Sequence, residues 1–141
     1  MRKTIIASAI AFACVAATQA PAMDQLGKYE WKNRVLVLFG GSGDKKLARQ
    51  VEILRDKKSD LADRDMVVFA VIGDDVRPVY GDAAGVDARK LREAADIKGN
   101  RFQAVLIGKD GGVKLRSTDV VTDTNMFGVI DGMPMRRAGQ G

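Results

Sequence analysis

The chain has 141 residues, a formal net charge of +5, a single cysteine and no histidine. This length allows one domain with a real hydrophobic core and is too short for two. Without histidine there is no Ser-His-Asp or Cys-His catalytic arrangement, and a single cysteine excludes an internal disulfide and a Cys-x-x-Cys redox pair.

The first 22 residues have the three parts of a secretory signal peptide. Arg2 and Lys3 form a basic start, residues 4–17 form an apolar run, and Ala20-Pro21-Ala22 matches the small-residue cleavage pattern. The apolar run is shorter than the roughly 20 residues that a membrane span needs, and no later segment is longer. We therefore predict cleavage after Ala22, export to the periplasm or the exterior, and no membrane span in the mature protein.

Cys14 lies inside the apolar run, so the predicted mature chain contains no thiol. A lipoprotein signal also ends at a cysteine, but the bulky Phe12 two residues earlier argues against lipidation. Removing Arg2 and Lys3 with the signal lowers the net charge from +5 to +3. Acidic and basic residues interleave along the rest of the chain and aromatic residues are scarce, so we expect no nucleic-acid partner.

The mature sequence alternates apolar strands with amphipathic helices. Residues 35–39 (VLVLF) and 66–72 (MVVFAVI) are apolar runs typical of strands that are buried on both faces. Between them, Asp44 is a good N-cap for a helix that ends near residues 57–58 or within 60–65. Two buried strands joined by a helix predict a parallel pair with a right-handed crossover.

The second half of the chain predicts a loop, two further helices and a hairpin. Asp-Gly and Gly-Gly within the turn provide the positive φ angles that a hairpin needs. In chain order the predicted elements are a loop at 76–86, a helix from Asp87 to about Ala95, a strand at 102–107, a turn at 108–112, an antiparallel strand at 113–116 and a helix from Asp123 to about Gly132.

The predicted order is therefore β-α-β-α-β-β-α, which is the minimal thioredoxin-like arrangement. We predict an α/β fold with a mixed four-stranded sheet and flanking helices. The domain is expected to span residues 27–137, between the signal peptide at 1–22 and a loose tail at 138–141.

Four segments resemble a family of small secreted bacterial proteins: Trp31–Phe39, Leu61–Asp65, Gly108–Arg116 and Ile130–Arg137. Their domain of unknown function is also called P-DUDES, for its peroxiredoxin-like character, and a related domain occurs in vertebrate extracellular-matrix and sushi-repeat proteins. The resemblance covers residues 27–137 and is most specific in the hairpin and in Met133–Arg137. It implies a thioredoxin-like fold and an extracytoplasmic setting, but no established reaction.

Redox-active thioredoxin-like proteins place a nucleophilic cysteine where the first strand meets the first helix, because the helix N-terminus lowers the pKa of the thiol. The matching segment here is residues 40–44 (GGSGD), which contains no sulfur. Those proteins also place a cis-proline before the third strand, where this chain has residues 100–103 (NRFQ). We therefore expect the scaffold without its thiol chemistry.

The first candidate site is a glycine-lysine segment formed by Gly41, Ser42, Gly43, Lys45 and Lys46. Glycines before a helix expose backbone N–H groups, and lysines add positive charge for an anion. The P-loop spacing is not met, and a capping carboxylate at position 44 would repel an anion, so we favour an ordinary turn with a helix cap. Ser42 would need a deprotonated lysine as its base, which disfavours a nucleophilic role.

Two other groups of residues could contact partners or a metal. Arg116, Arg136 and Arg137 are candidate partner-facing side chains. Met133 and Met135 provide two thioethers suited to Cu(I), but two ligands are too few without a third, and methionine more commonly packs in a core. We therefore predict no metal site, no disulfide and no cofactor.

The leading hypothesis is a non-enzymatic binding or interaction module whose partner is another extracytoplasmic protein. One alternative is a peroxiredoxin-like enzyme that uses Ser42, Asp44 and Arg116 in place of a thiol, which requires these side chains to converge in one pocket. The other alternative is a protein that binds a small anion or ligand.

Overall fold

The structure is a computed structural model that describes residues 21–134, with side chains described for residues 25–134. Most of the predicted signal peptide, including Cys14, lies outside the described residues. Met135, Arg136, Arg137 and the predicted tail at 138–141 also lie outside them.

A 3-10 helix at Pro21–Tyr29 precedes five strands and four helices in the described part of the chain. The strands are β1 (Arg34–Gly40), β2 (Met66–Ile72), β3 (Asp75–Tyr80), β4 (Gln103–Ile107) and β5 (Val113–Ser117). The helices are α1 (Lys45–Arg55), α2 (Lys58–Asp63), α3 (Ala88–Ala94) and α4 (Asp123–Asp131).

The strands form one mixed sheet in the order β3-β2-β1-β4-β5. β1 pairs parallel to β2 and antiparallel to β4, while β3 and β5 pair antiparallel to β2 and β4 respectively. The predicted α/β class, the parallel pair and the β4–β5 hairpin are confirmed. Among the described residues, no helix has both the length and the apolar character of a membrane span.

The prediction of four strands was wrong, because part of the expected loop at 76–86 forms β3. Pro78 cannot donate a backbone hydrogen bond, which argued against a strand at this position. However, β3 is the last strand on its side of the sheet, and an edge strand tolerates proline. A register shift opposite Val68 and Phe69 accompanies the pairing of β3 with β2.

The caps of α1 and α3 are those that the sequence predicts, whereas the segment between β1 and β2 contains one helix more than predicted. The Asp44 carboxylate accepts a hydrogen bond from the Leu47 backbone N–H at 3.0 Å, and Asp87 caps α3 in the same way through the Lys90 N–H at 3.0 Å. The single helix predicted after Asp44 is instead two helices, α1 and α2. Leu61 of α2 is fully buried, so this second short helix adds to the core.

Strand β1 lies between two hydrophobic cores. Leu36 and Leu38 pack on one face of the sheet with buried residues of α1, α2 and α4. Val35, Val37 and Phe39 pack on the other face with residues of α3 and of the 3-10 helix. The continuous apolar run therefore has the double burial that its sequence predicts.

A buried glutamine connects α1 to the segment before α4. Gln50 is 0% exposed, its Nε2 donates to the Val121 carbonyl at 3.0 Å, and its Oε1 accepts from the Val121 N–H at 2.8 Å. This side chain takes the place of a strand partner for Val121, since it satisfies both backbone groups.

We expect Gln50→Leu to lower the free energy of unfolding by about 2–4 kcal/mol, because it keeps the volume but leaves the N–H and C=O of Val121 without these partners. Urea denaturation followed by circular dichroism measures the change. Arg49→Leu is the control on the same helix, and its exposed side chain predicts a change within about 0.5 kcal/mol. Equal effects of the two substitutions would contradict the assigned role of Gln50.

Candidate functional site

The β1–α1 junction lies at the carboxyl ends of the parallel strands β1 and β2. The loop before β4 approaches it closely, because a Cβ built on Gly41 would lie 2.9 Å from the Asn100 Cβ. Glycine permits this approach, and a larger residue would push the loops apart. Gly41 of segment 40–44 and Asn100 of segment 100–103 thus lie side by side.

Arg92 connects three loops at this end of the sheet, although nothing in the sequence marks it as a site residue. Its guanidinium donates to the carbonyls of Gly40, Gly73 and Gly99, with donor–acceptor distances of 3.4, 3.0 and 3.2 Å. A planar guanidinium with five N–H donors can bridge three loops in this way. Its partners are backbone carbonyls 7, 19 and 52 residues away, so no side-chain pattern reveals the role.

The glycine-lysine segment does not bring its cationic groups together. The Lys46 ammonium contacts the Asp119 carboxylate at 2.7 Å and the Thr118 carbonyl at 3.3 Å. This hydrogen bond lowers the pKa of the Asp119 carboxyl. Because Asp44 accepts from the Leu47 N–H, a carboxylate also stands where an anion would use the helix N-terminus. The geometry thus favours the turn-and-cap interpretation.

A cavity of about 620 Å³, which we call the junction cleft, opens beside Gly41, Gly43 and Lys45. Ser42 is exposed to solvent, and neither Ser42 nor Lys46 lines the cleft. The cleft lies between α1 and the edge strand β3. Its apolar lining includes Leu47, Val51, Ile72, Pro78 and Val79.

The charged residues that line the junction cleft balance in number. The cations are Lys45, Arg55 and Arg77, and the anions are Asp44, Glu52 and Asp56. With no excess of either sign, the cleft has little electrostatic preference for a charged ligand. Its chemistry instead suits a partner that combines an apolar side chain with neutral polar groups.

Arg116 contacts the carboxyl-terminal end of α3 and does not line the junction cleft. Its guanidinium donates to the Ala95 carbonyl at 2.7 Å and to the Gln103 Oε1 at 3.2 Å. Ala95 is the C-cap of α3, so the cation lies at the negative end of a helix dipole. Arg116 is absent from the lining of the junction cleft and shares no hydrogen-bond partner with Asp44.

The methionines considered for copper belong to the core as far as they are described. Met126 is fully buried in the cluster that α1 and α4 share, and Met133 packs against the same cluster. Met135 lies outside the described residues. Within residues 21–134, no group of three or more Cys, Asp or Glu side chains is arranged to hold a metal ion.

The β4–β5 turn is stabilised by one carboxylate. Asp110 accepts hydrogen bonds from the Lys114 ammonium at 2.8 Å and from the Gly112 N–H at 3.0 Å. These contacts, with Lys114 contributing most, hold the pKa of Asp110 below its usual range. Gly111 provides the positive φ of 81° that the sequence predicts for this turn.

The lowered pKa gives the hairpin a defined pH dependence. Asp110 stabilises the fold at neutral pH, and the contribution is lost on acidification, as the pH falls through the folded-state pKa. We expect Lys114→Met to raise the NMR titration midpoint of the Asp110 carboxyl and to cost less than about 1 kcal/mol of stability at neutral pH. Lys98→Met is the control, and an unchanged Asp110 midpoint in Lys114→Met would contradict the assigned contact.

Comparison with known proteins identifies a family but no characterised relative. No curated protein and no solved structure matches the chain. A family model described as Domain of unknown function (DUF4174) matches residues 25–139. Because this match spans most of the chain, the protein belongs to the family of the domain of unknown function DUF4174.

Proposed function

We propose that this protein is an extracytoplasmic binding module on a thioredoxin-like scaffold without thiol chemistry, and that it binds a segment of another extracytoplasmic protein in the junction cleft. Four strands in the order β2-β1-β4-β5, with one parallel and two antiparallel pairings, support the thioredoxin-like assignment. In this interpretation β3 is an addition at the sheet edge. The resemblance to P-DUDES domains supports the same scaffold.

The observation that carries the proposal is the composition of the junction cleft. Val51, Ile72 and Val79 are only partly buried, although they line a cavity large enough for a ligand. Apolar side chains exposed in a concave site, rather than singly on a convex surface, are typical of binding sites.

The neighbouring edge strand favours an extended peptide as the occupant. β3 pairs with β2 on one side and ends the sheet on the other. Peptides bind to such edges through backbone hydrogen bonds and insert alternate side chains into adjacent pockets. The balanced charges of the cleft suit a peptide segment better than a free anion.

An enzyme at this junction has less support. Asp44 caps α1 and Arg116 caps α3, so two of the three groups required by the enzyme hypothesis have separate structural partners. Ser42 precedes Asp44 in an exposed turn, and the mature chain offers it no histidine as a base.

The peptide hypothesis predicts crosslinking from the cleft. A photo-crosslinking amino acid at Ala48, an exposed position of the cleft lining, should give a discrete adduct in cells. The same amino acid at Glu93, exposed on α3, should not. Val79→Asp should lower the yield of this adduct by about tenfold, because it places a charge in an apolar contact. Denaturing electrophoresis and mass spectrometry measure the adduct.

The matched control for this experiment is Val113→Asp, which makes the same substitution on the opposite edge strand, β5, at an exposed valine. It should leave the adduct unchanged, and thermal unfolding verifies that both variants fold. Identical adducts from positions 48 and 93, or an adduct unaffected by Val79→Asp, would contradict the binding site. Insulin or peroxide reduction by the purified protein at enzyme-like rates would contradict the non-enzymatic role.

The extracytoplasmic setting has a separate test. The exported protein should begin at Met23, because cleavage after Ala22 satisfies the small-residue pattern. Intact-mass measurement of the protein from the periplasm or culture medium determines the N-terminus. Replacing Ala22 with Phe should cause the uncleaved precursor to accumulate. Retention of the full chain in the cytoplasm of wild-type cells would contradict export.

A further inference from the structure

The lining residues of α1 show that the junction cleft runs along this helix. Asp44, Ala48, Val51 and Arg55 all line it, at intervals that alternate between four and three residues. Such intervals place residues on one face of a helix. From its first residue to its last, α1 is about 15 Å long, because each helical residue adds about 1.5 Å. An extended chain of about four or five residues spans the same length, since each residue of a strand adds about 3.3 Å.

Charged side chains lie at both ends of the cleft. Asp44 and Lys45 are at the amino-terminal end of α1, and Arg55 and Asp56 are at its carboxyl-terminal end. Each end therefore has one charge of each sign. A peptide that lies along the cleft meets no net charge at either end, so neither acidic nor basic peptides are favoured there.

The two other charged residues of the lining have partners outside the cleft. The Glu52 carboxylate contacts the Arg49 guanidinium at 3.3 Å, and the Arg77 guanidinium lies 4.0 Å from the Asp75 carboxylate. Neither Arg49 nor Asp75 lines the cleft. Between its two ends, the cleft therefore offers mainly apolar contacts.

The middle of the cleft is an apolar socket, formed by Val51, Ala70, Ile72 and Val79. Val51 belongs to α1 and Val79 to β3, so the two valines flank the socket from different elements. Ala70 and Ile72 are two positions apart on β2 and project to the same face of the sheet. Val51, Ile72 and Val79 are only partly buried, so a ligand that covers them gains hydrophobic contact.

Ala70 determines the depth of the apolar socket. It is 3% exposed and has the smallest side chain on this face of β2, where the others are Met66, Val68 and Ile72. A larger residue at this position would fill the socket from inside the protein. Alanine instead leaves the space to a side chain that enters from the cleft.

We propose that the junction cleft binds an extended segment of four or five residues whose central side chain is aliphatic and enters the apolar socket. This inference rests on the peptide binding proposed above and adds the chemical class of the peptide. Leucine at the centre should bind about tenfold more tightly than alanine, because its additional carbon atoms are removed from water. A charged central side chain of either sign would lose its hydration against these apolar residues.

Blocked pentapeptides test the proposal. The first has four serines around a central leucine and is acetylated and amidated, so that its termini carry no charge. Titration of the purified exported protein, followed by ¹H–¹⁵N NMR, should show saturable binding with shifts at the amides of Gly41, Ala48 and Ile72. Peptides with alanine, aspartate or lysine at the centre should bind at least about tenfold more weakly, and so should acetyl-leucine amide, which fills the socket alone.

Two variants test the apolar socket. Val79→Ala should weaken binding of the leucine peptide by about fivefold, because it removes apolar contact. Ala70→Val should weaken the leucine peptide by about tenfold and leave the alanine peptide unchanged, because it makes the socket shallower. Val76→Ala is the matched control, since Val76 is a half-buried valine of the same strand that packs on the opposite face of the sheet and does not line the cleft.

Thermal unfolding verifies that the three variants fold, and Val76→Ala should leave the affinity for the leucine peptide unchanged. The proposal fails if the leucine peptide does not bind saturably, if the leucine and alanine peptides bind equally, or if folded Val79→Ala keeps wild-type affinity. Any of these results together with a discrete adduct from position 48 in cells would overturn the aliphatic preference and leave the peptide proposal standing. Loss of both the adduct and the binding would overturn both.

Discussion

The side chains of Val35, Val37 and Phe39 project to one face of the sheet and those of Leu36 and Leu38 to the other, and all five are at most 1% exposed. Burying each such side chain contributes about 1.5–3 kcal/mol, so neither face of β1 can remain open to water. One face is covered by α1, α2 and α4, and the other by α3 and the 3-10 helix. The placement of helices on both faces of the sheet follows from the need to cover this strand twice.

A central strand with both faces covered can present functional groups only at its two ends, and both ends of β1 contribute to a cavity. Gly40 leads into the junction cleft, and Arg34 lines a second cavity, between the β4–β5 turn and the carboxyl-terminal end of α4. Open α/β sheets commonly bind ligands at the carboxyl ends of their parallel strands, which is where the junction cleft lies. The second cavity is at the other end, where the turn after the antiparallel strand β4 brings Lys109 to the same cavity as Arg34. One strand thereby leads into a cavity at each of its ends.

Much of the fold was predictable because its causes are local. The apolar runs of β1, β2 and β4, the caps Asp44 and Asp87, and the hairpin turn at 108–112 all depend on residues a few positions apart. β3 was missed because Pro78 excludes a central strand but not an edge strand, and only the sheet order distinguishes the two. The separate helix α2 was also missed, and its Leu61 is fully buried by contacts that only the folded chain provides.

The candidate sites were less predictable than the fold. The sequence alone shows that no histidine is present and that the only cysteine is Cys14, within the predicted signal. It also shows a glycine-rich segment between the first strand and the first helix. The tertiary structure was needed to show that Lys46 pairs with Asp119, 73 residues away, instead of joining an anion site. The tertiary structure was also needed to show that Arg34, Lys109 and Gly128 line one cavity. The physical reason is distance along the chain: caps, turns and strand periodicity arise between near neighbours, whereas a pocket is formed by side chains that only the packing of separate elements brings together.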